Sequence, residues 1–144
     1  MSCPQLKMNP ERLKELLRRF QTTRPASSDE IEAFEHEAGI TLPSEYREFL
    51  RFTDGGEGFI GPNSYAMLWR VDELLRFNKE YQADEYAPGL LLFGSSGGGE
   101  AFAFDLRPHR KQQIVSVPFI GMDLNEILPI AETFDGFLEH LANQ

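Results

Sequence analysis

Apolar residues recur three and four apart through the first third of the chain, and that spacing predicts three helices. Asn9 followed by Pro10 supplies a cap and a first-turn proline, after which Leu13, Leu16, Leu17 and Phe20 make one apolar stripe. A loop over 22–28 follows. Ser27, with Glu30 three residues on, forms a capping-box pattern ahead of Ile31, Phe34 and Ala38, and Gly39 closes this second helix. The third helix, within 42–56, is the best delimited. Pro43 biases Leu42 away from helical backbone, and Glu45 and Glu48 sit near the positive end of the helix dipole. Tyr46, Phe49, Leu50 and Thr53 share one face, while Glu45, Arg47, Glu48 and Arg51 are left for water. Asp54, Gly55 and Gly56 end the helix.

Beyond Gly61 and Pro62 the pattern changes to short apolar runs. Residues 65–69 begin the strands, and 71–81 return to helical spacing through Val71, Leu74, Leu75 and Asn78. The continuous apolar run 90–93 reads as a buried strand, 94–99 as a glycine-rich turn, and 101–106 as an extended segment with Phe102 and Phe104 on one face. The two extended segments are expected as a hairpin or adjacent antiparallel strands. Residues 107–111 form a polar turn before another strand over 113–118, with Ile114, Val115 and Val117. Thr133 caps a closing helix whose buried face is Phe134, Phe137, Leu138 and Leu141. The expected class is α+β: a mainly antiparallel sheet packed with helices and covered on one side.

With 144 residues the chain fits one domain that buries roughly 68–70% of its unfolded surface. No apolar run is long enough to span a bilayer, and the first residues lack the apolar middle of a secretory signal, so a cytoplasmic location is expected. The single cysteine, Cys3, excludes an internal disulfide and reads as incidental. Charge is uneven. Residues 1–24 hold Lys7, Arg12, Lys14, Arg18, Arg19 and Arg24 against two acids, leaving 8 basic and 21 acidic side chains in the remainder, a balance of −13. Such a body repels nucleic-acid backbones and attracts basic proteins, although acidity also serves plain solubility.

Motifs for chemistry are incomplete. GSSGGGE over 94–100 follows a strand, but it lacks the lysine and hydroxyl of a phosphate loop, Glu100 brings a negative charge, and the next segment reads as a strand, so a sheet turn is favoured. The same stretch lacks the spacing of a serine-hydrolase elbow. His36-Glu37 starts like a zinc-protease helix, yet Ile40 stands where the second histidine is needed; His109 and His140 lie far off in sequence. Asp84, Glu85, Asp105 and Asp123 could in principle supply a catalytic carboxylate pair, but solvated surface charge is the favoured reading. Trp69, Tyr81 and Tyr86 read as core or rim, with Tyr81 and Tyr86 around Asp84-Glu85 fitting a protein-binding rim.

Leu42-Pro43-x-x-Tyr46-x-x-Phe49-Leu50 with Asp54-Gly55-Gly56, then Phe93-Gly94 with its glycine-rich turn, Phe104-Asp105, and Phe134-x-x-Phe137-Leu138 together resemble a SUKH domain. More narrowly, they are similar to the subgroup named after the Smi/Knr cell-wall regulator of yeast. The likeness covers about 27–141. One departure is Asp54, where the family commonly has asparagine; either side chain can cap or turn the backbone there. The resemblance implies a single SUKH-like domain over 1–144, with a core at 27–141 and 1–26 as a basic helical extension. It also implies a protein-binding role without catalysis, cofactor or metal. Bacterial domains of this kind often look like immunity proteins that neutralise toxins such as nucleases; similar eukaryotic domains act as regulatory scaffolds.

The expected function is therefore a protein-binding module of immunity type with a basic toxin domain as partner and no direct nucleic-acid or membrane contact. An endogenous Smi/Knr-type regulator or scaffold is the alternative. Asp84, Glu85 and Tyr86 are the expected contacts, with Glu100, Asp105 and Asp123 as acidic support.

Overall fold

The computed structural model describes residues 8–144; Cys3 and Lys7 lie outside them. Asn9 accepts the Arg12 N–H at 2.8 Å and starts helix α1 (Pro10–Leu16). The helix ends one turn before the apolar stripe does, and Arg19–Thr22 forms strand β1 instead. Phe20 is buried as expected, but from a strand paired with β2 (Gly56–Ile60). Two glycines make that pairing possible. A Cβ on Gly58 would lie 2.6 Å from the Arg19 carbonyl oxygen, and one on Gly56 would lie 2.4 Å from that of Gln21. Gly56, read from the sequence as part of a helix stop, thus also admits a strand alongside.

Helix α2 (Ser28–Ala38) has the expected capping box: Ser27 Oγ accepts the Glu30 N–H at 3.1 Å, and the Glu30 carboxylate accepts the Ser27 N–H at 3.0 Å. Gly39 ends it in left-handed conformation. Helix α3 (Ser44–Phe52) buries Tyr46, Phe49 and Leu50, followed by Thr53, as the spacing predicts. Of the residues expected on its wet side, Glu48 and Arg51 are exposed, whereas Glu45 and Arg47 are half-buried. At the end of α3 three segments are tied together. Thr53 Oγ1 accepts the Thr23 N–H at 2.8 Å, the Asp54 N–H donates to the Arg24 carbonyl at 3.0 Å, and Asp54 Oδ1 accepts the Val71 N–H at 2.8 Å.

Strand β3 (Ser64–Leu68) leads to a 3-10 turn (Val71–Glu73) and then α4 (Leu74–Glu80), where one continuous helix was expected. Left-handed Gln82 turns the chain into α5 (Ala83–Tyr86). Strands β4 (Leu90–Ser95) and β5 (Glu100–Asp105) form the expected antiparallel pair, and β6 (Ile114–Pro118) follows. Strand β7 (Leu128–Ala131) was not legible, because Pro129 lies within it; an edge strand tolerates proline. Thr133 caps α6 (Phe134–Ala142), accepting the Gly136 N–H at 3.0 Å. The sheet is antiparallel throughout, in the order β1 to β7.

The strand AFAFD shows how the sheet serves two cores. Phe102 and Phe104 point to the larger one, with Tyr46, Phe93, Phe134 and Phe137; Tyr46–Phe104 centroids are 4.9 Å apart and Phe93–Phe104 4.5 Å. Ala101 and Ala103 point the other way, with Leu90, Leu92, Val115 and Val117, under Ala83 of α5, Ala87 just after it, and Met122. One-sided covering therefore holds for β3, where Tyr65 and Met67 are exposed, and is corrected for β4–β6, which are buried on both faces. The segment expected as a helical extension contributes Leu16, Leu17, Phe20 and Ala26 to the larger core.

Two stability predictions follow from this packing. Phe49, at 5.0 Å from the Phe134 ring and 3% exposed, should cost roughly 3–5 kcal/mol on replacement by alanine in urea denaturation. Asp54 is 1% exposed, and burial raises its pKa despite the Val71 hydrogen bond. Its ionised form thus weakens the fold above that raised pKa, and the penalty fades as pH falls toward the unfolded value. Asp54→Asn keeps an acceptor without the charge and should match or exceed wild-type stability at pH 7, whereas Asp54→Ala strands the Val71 N–H and should cost about 1–3 kcal/mol.

Candidate partner-binding surface

Helix α5 is one turn long and is held from below. Ala83 and Ala87 are small enough to lie flat on Leu90 and Leu92, and the Tyr86 and Ala87 N–H groups bond to the Gln82 and Ala83 carbonyls at 3.0 and 2.8 Å. Asp84, Glu85 and Tyr86 are left projecting outward, with Tyr86 49% exposed. Among the described residues neither Asp84 nor Glu85 has an ion-pair partner. Both line a groove of about 630 Å³ whose apolar surface includes Ile40, Leu75, Leu91 and Leu106.

The groove exists because β3 and β4 part company. They pair only at Met67–Ser95 and Leu68–Gly94. Further down β4 the Asn78 side chain takes the place of a strand, donating to the Leu92 carbonyl at 2.9 Å and accepting the Leu92 N–H at 2.8 Å. Asn78 continues the helical spacing of 71–81, and nothing in that spacing reveals this role.

The remaining expected site residues disperse. Asp123 is exposed and caps the 3-10 turn Leu124–Glu126, accepting the Asn125 N–H at 2.7 Å. Leu124 packs against the smaller core, which places this turn on the same side of the sheet as α5. Glu100 is exposed at the start of β5, but strand alternation puts it with Phe102 and Phe104, on the face opposite α5.

Asp105 is a correction. It is 0% exposed and closed to any partner. Arg107 clasps it through Nε at 2.9 Å and Nη2 at 2.8 Å, and the Arg107 N–H donates at 3.2 Å. Burial pushes the Asp105 carboxyl up, but these hydrogen bonds and the charges of Arg107 and Arg110 outweigh it, so its pKa lies below the ordinary value. The pair props the groove wall. The Arg107 stem fills the space a Gly89 Cβ would need, its Cγ 2.5 Å away, and Leu106 N–H bonds the Gly89 carbonyl at 2.8 Å.

An aromatic ledge adjoins the same side of the sheet. Trp69 and Tyr81 stack at 6.1 Å, Tyr81 meets Phe119 at 4.5 Å, and Ile120 beside it is 94% exposed. Phe119 N–H bonds the Gly99 carbonyl at 3.0 Å, so the glycine-rich turn abuts the ledge. Two amides of that turn are engaged by its own serines: Ser95 Oγ accepts from Gly97 and Ser96 Oγ from Gly98. His36, His109 and His140 are exposed, and among the described residues no three His, Cys, Asp or Glu side chains gather as a metal would require.

Residues 25–140 match the model of the SMI1/KNR4 family (SUKH-1). The chain belongs to that family. Comparison with curated proteins found no match. The SUKH-1 match takes in α2 to α5 and β2 to β7 whole, together with most of α6, so it contains the groove, the Asp105–Arg107 clasp and the ledge. Among the described residues of this SUKH-1 chain no helix is long and apolar enough to cross a membrane.

The clasp gives a pH-dependent prediction. Because the Asp105 pKa is lowered by folding, its contribution is complete above the unfolded carboxylate value and is lost as pH falls through the folded one. Arg107→Met leaves the carboxylate buried and unpaired and should cost about 3 kcal/mol at pH 7. In urea denaturation the gap from wild type should begin to narrow above the ordinary carboxylate range, where the buried, unpaired carboxylate of the variant takes up a proton, and should go on narrowing until the clasped carboxylate of the wild type does.

Proposed function

We propose that this SUKH-1 domain is a non-enzymatic, cytoplasmic protein-binding module of immunity type, which binds and neutralises a toxin domain with a basic surface, such as a nuclease. The observation that carries the reading is α5: two carboxylates without ion pairs among the described residues and a half-exposed tyrosine, held over a packed satellite core, on a body with a balance of −13. Membership of the family supports protein binding. Asp84, Glu85 and Tyr86 make the contact, Asp123 adds charge from the same side, and Glu100 contributes only to the long-range field. Tyrosine supplies apolar area with a polar tip, and the carboxylates steer a basic partner into register. The lowered pKa and arginine clasp of Asp105 speak against a general acid at that position.

The same surface suits an endogenous regulatory partner, and the Smi/Knr name of the matched family favours this as the second reading. The product of the adjacent gene separates the two. For the immunity reading, the purified chain should bind a toxin-like neighbour and protect cells against it; no binding and no protection would sink it. The double substitution Asp84→Lys/Glu85→Lys should slow association about tenfold or more at low salt, with the difference shrinking as salt rises, measured by stopped-flow or biolayer kinetics.

A further inference from the structure

The groove beneath α5 is chemically more selective than the surface around it. Its floor, with Ile40, Leu75 and Leu106 half-buried beside buried Leu90 and Leu91, is apolar surface that no described segment of the chain covers. Among the described residues its lip carries Asp84 and Glu85 against one cation, Lys79. At about 630 Å³ it falls within the range of roughly 300–1,000 Å³ that holds ligands or side chains.

We infer that this groove receives one or two aliphatic side chains of a partner protein segment in which Lys or Arg flanks the apolar residues. The inference rests on the protein-binding reading above and names the chemistry its partner presents. Leucine-sized groups cover the exposed parts of Leu75 and Leu106, and the flanking cations meet the two carboxylates at the lip, which have no ion-pair partner among the described residues. An acidic segment or a phosphate would face those carboxylates with like charge, and a polar segment would leave the floor wet. The walls are preformed. Asn78 holds the β4 edge at Leu92, and the Asp105–Arg107 clasp holds the chain at Gly89, so little ordering is needed on binding.

The test is a titration of the ¹⁵N-labelled full chain with the blocked peptide Lys-Arg-Leu-Leu-Arg-Lys, followed by amide NMR at about 50 mM salt, where surface charges are little screened. Saturable shifts are expected at Ala38, Leu75, Glu85, Gly89 and Leu106. Replacing the peptide leucines by serine, or its cations by glutamate, should abolish them. Asp84→Asn/Glu85→Gln, both at exposed positions, should weaken binding about fivefold or more while leaving the rest of the spectrum in place. Shifts that are absent up to about 2 mM peptide, that map elsewhere, that survive either peptide replacement, or that ignore the double variant would overturn the inference. The peptide result is independent of any toxin. A chain that binds and neutralises its neighbour but ignores the peptide loses the groove assignment alone, and one that binds the peptide in the groove but no neighbour loses the immunity reading alone.

Discussion

The turn Thr53-Asp54-Gly55 is the constraint on which the rest of the arrangement depends. Within three residues a helix becomes a strand, and each residue is committed. Thr53 Oγ1 holds the Thr23 amide, Asp54 holds the amide of Val71 and the carbonyl of Arg24, and Gly55 passes so close to β3 that a Cβ would stand 2.4 Å from the Leu68 carbonyl oxygen. Helix α3, the β1–β2 edge and the turn into α4 are thereby fixed relative to one another. The cost is a carboxylate at 1% exposure whose second oxygen finds no hydrogen-bond partner among the described residues. A group that is expensive to bury and still present is best understood through the amide it satisfies.

From that turn the route to the candidate surface is short. Asp54 positions Val71, Val71 starts the 3-10 turn, and the turn launches α4 with Leu74 in the main core and Asn78 against β4. Because α4 is wedged there, β3 does not pair further along β4, and the groove opens beside that edge, lined by the buried Leu90 and Leu91. The smaller core then carries α5 across the far face. The fold thus makes its groove by interrupting a sheet rather than by adding a pocket to one.

How much of this was legible depends on range. Local signals read correctly: the capping box at Ser27 and Glu30, the buried face of α3, the β4–β5 hairpin and the cap of α6 are set by residues within a few positions of each other. Strand β1 was read as helix because Leu13, Leu16, Leu17 and Phe20 do fit one helical face; the pairing that overrides it involves Gly56 and Gly58, more than thirty residues on. The two-sided burial of β4 and β6 was foreshadowed by the unbroken run LLLF and by IVSV, broken only by the small Ser116, which alternate too little for a half-exposed strand. In the candidate site, Asp84, Glu85 and Tyr86 could be selected as an acidic and aromatic surface. Asp105 could not be separated from them, since its arginine clasp and zero exposure are tertiary facts.

The same distinction applies to charge. The +4 of residues 1–24 suggests a basic face, yet in the structure much of it is spent internally. Arg12 is bound by Glu139 at 2.6 Å and also by Glu15; Arg24 clasps Glu30, whose carboxyl is lowered to about 2 by that clasp and the capping bonds; Arg19 lies 4.7 Å over the Phe59 ring. The Arg12 and Arg24 pairings each offset a cation locally with an acid, whereas the Arg19 contact sets a cation against a ring. Asp84 and Glu85 have no such partner among the described residues. Net charge therefore understates the polarity of this domain: Arg12 and Arg24 are paired at α1 and α2, while the carboxylates on α5 stay exposed to solvent.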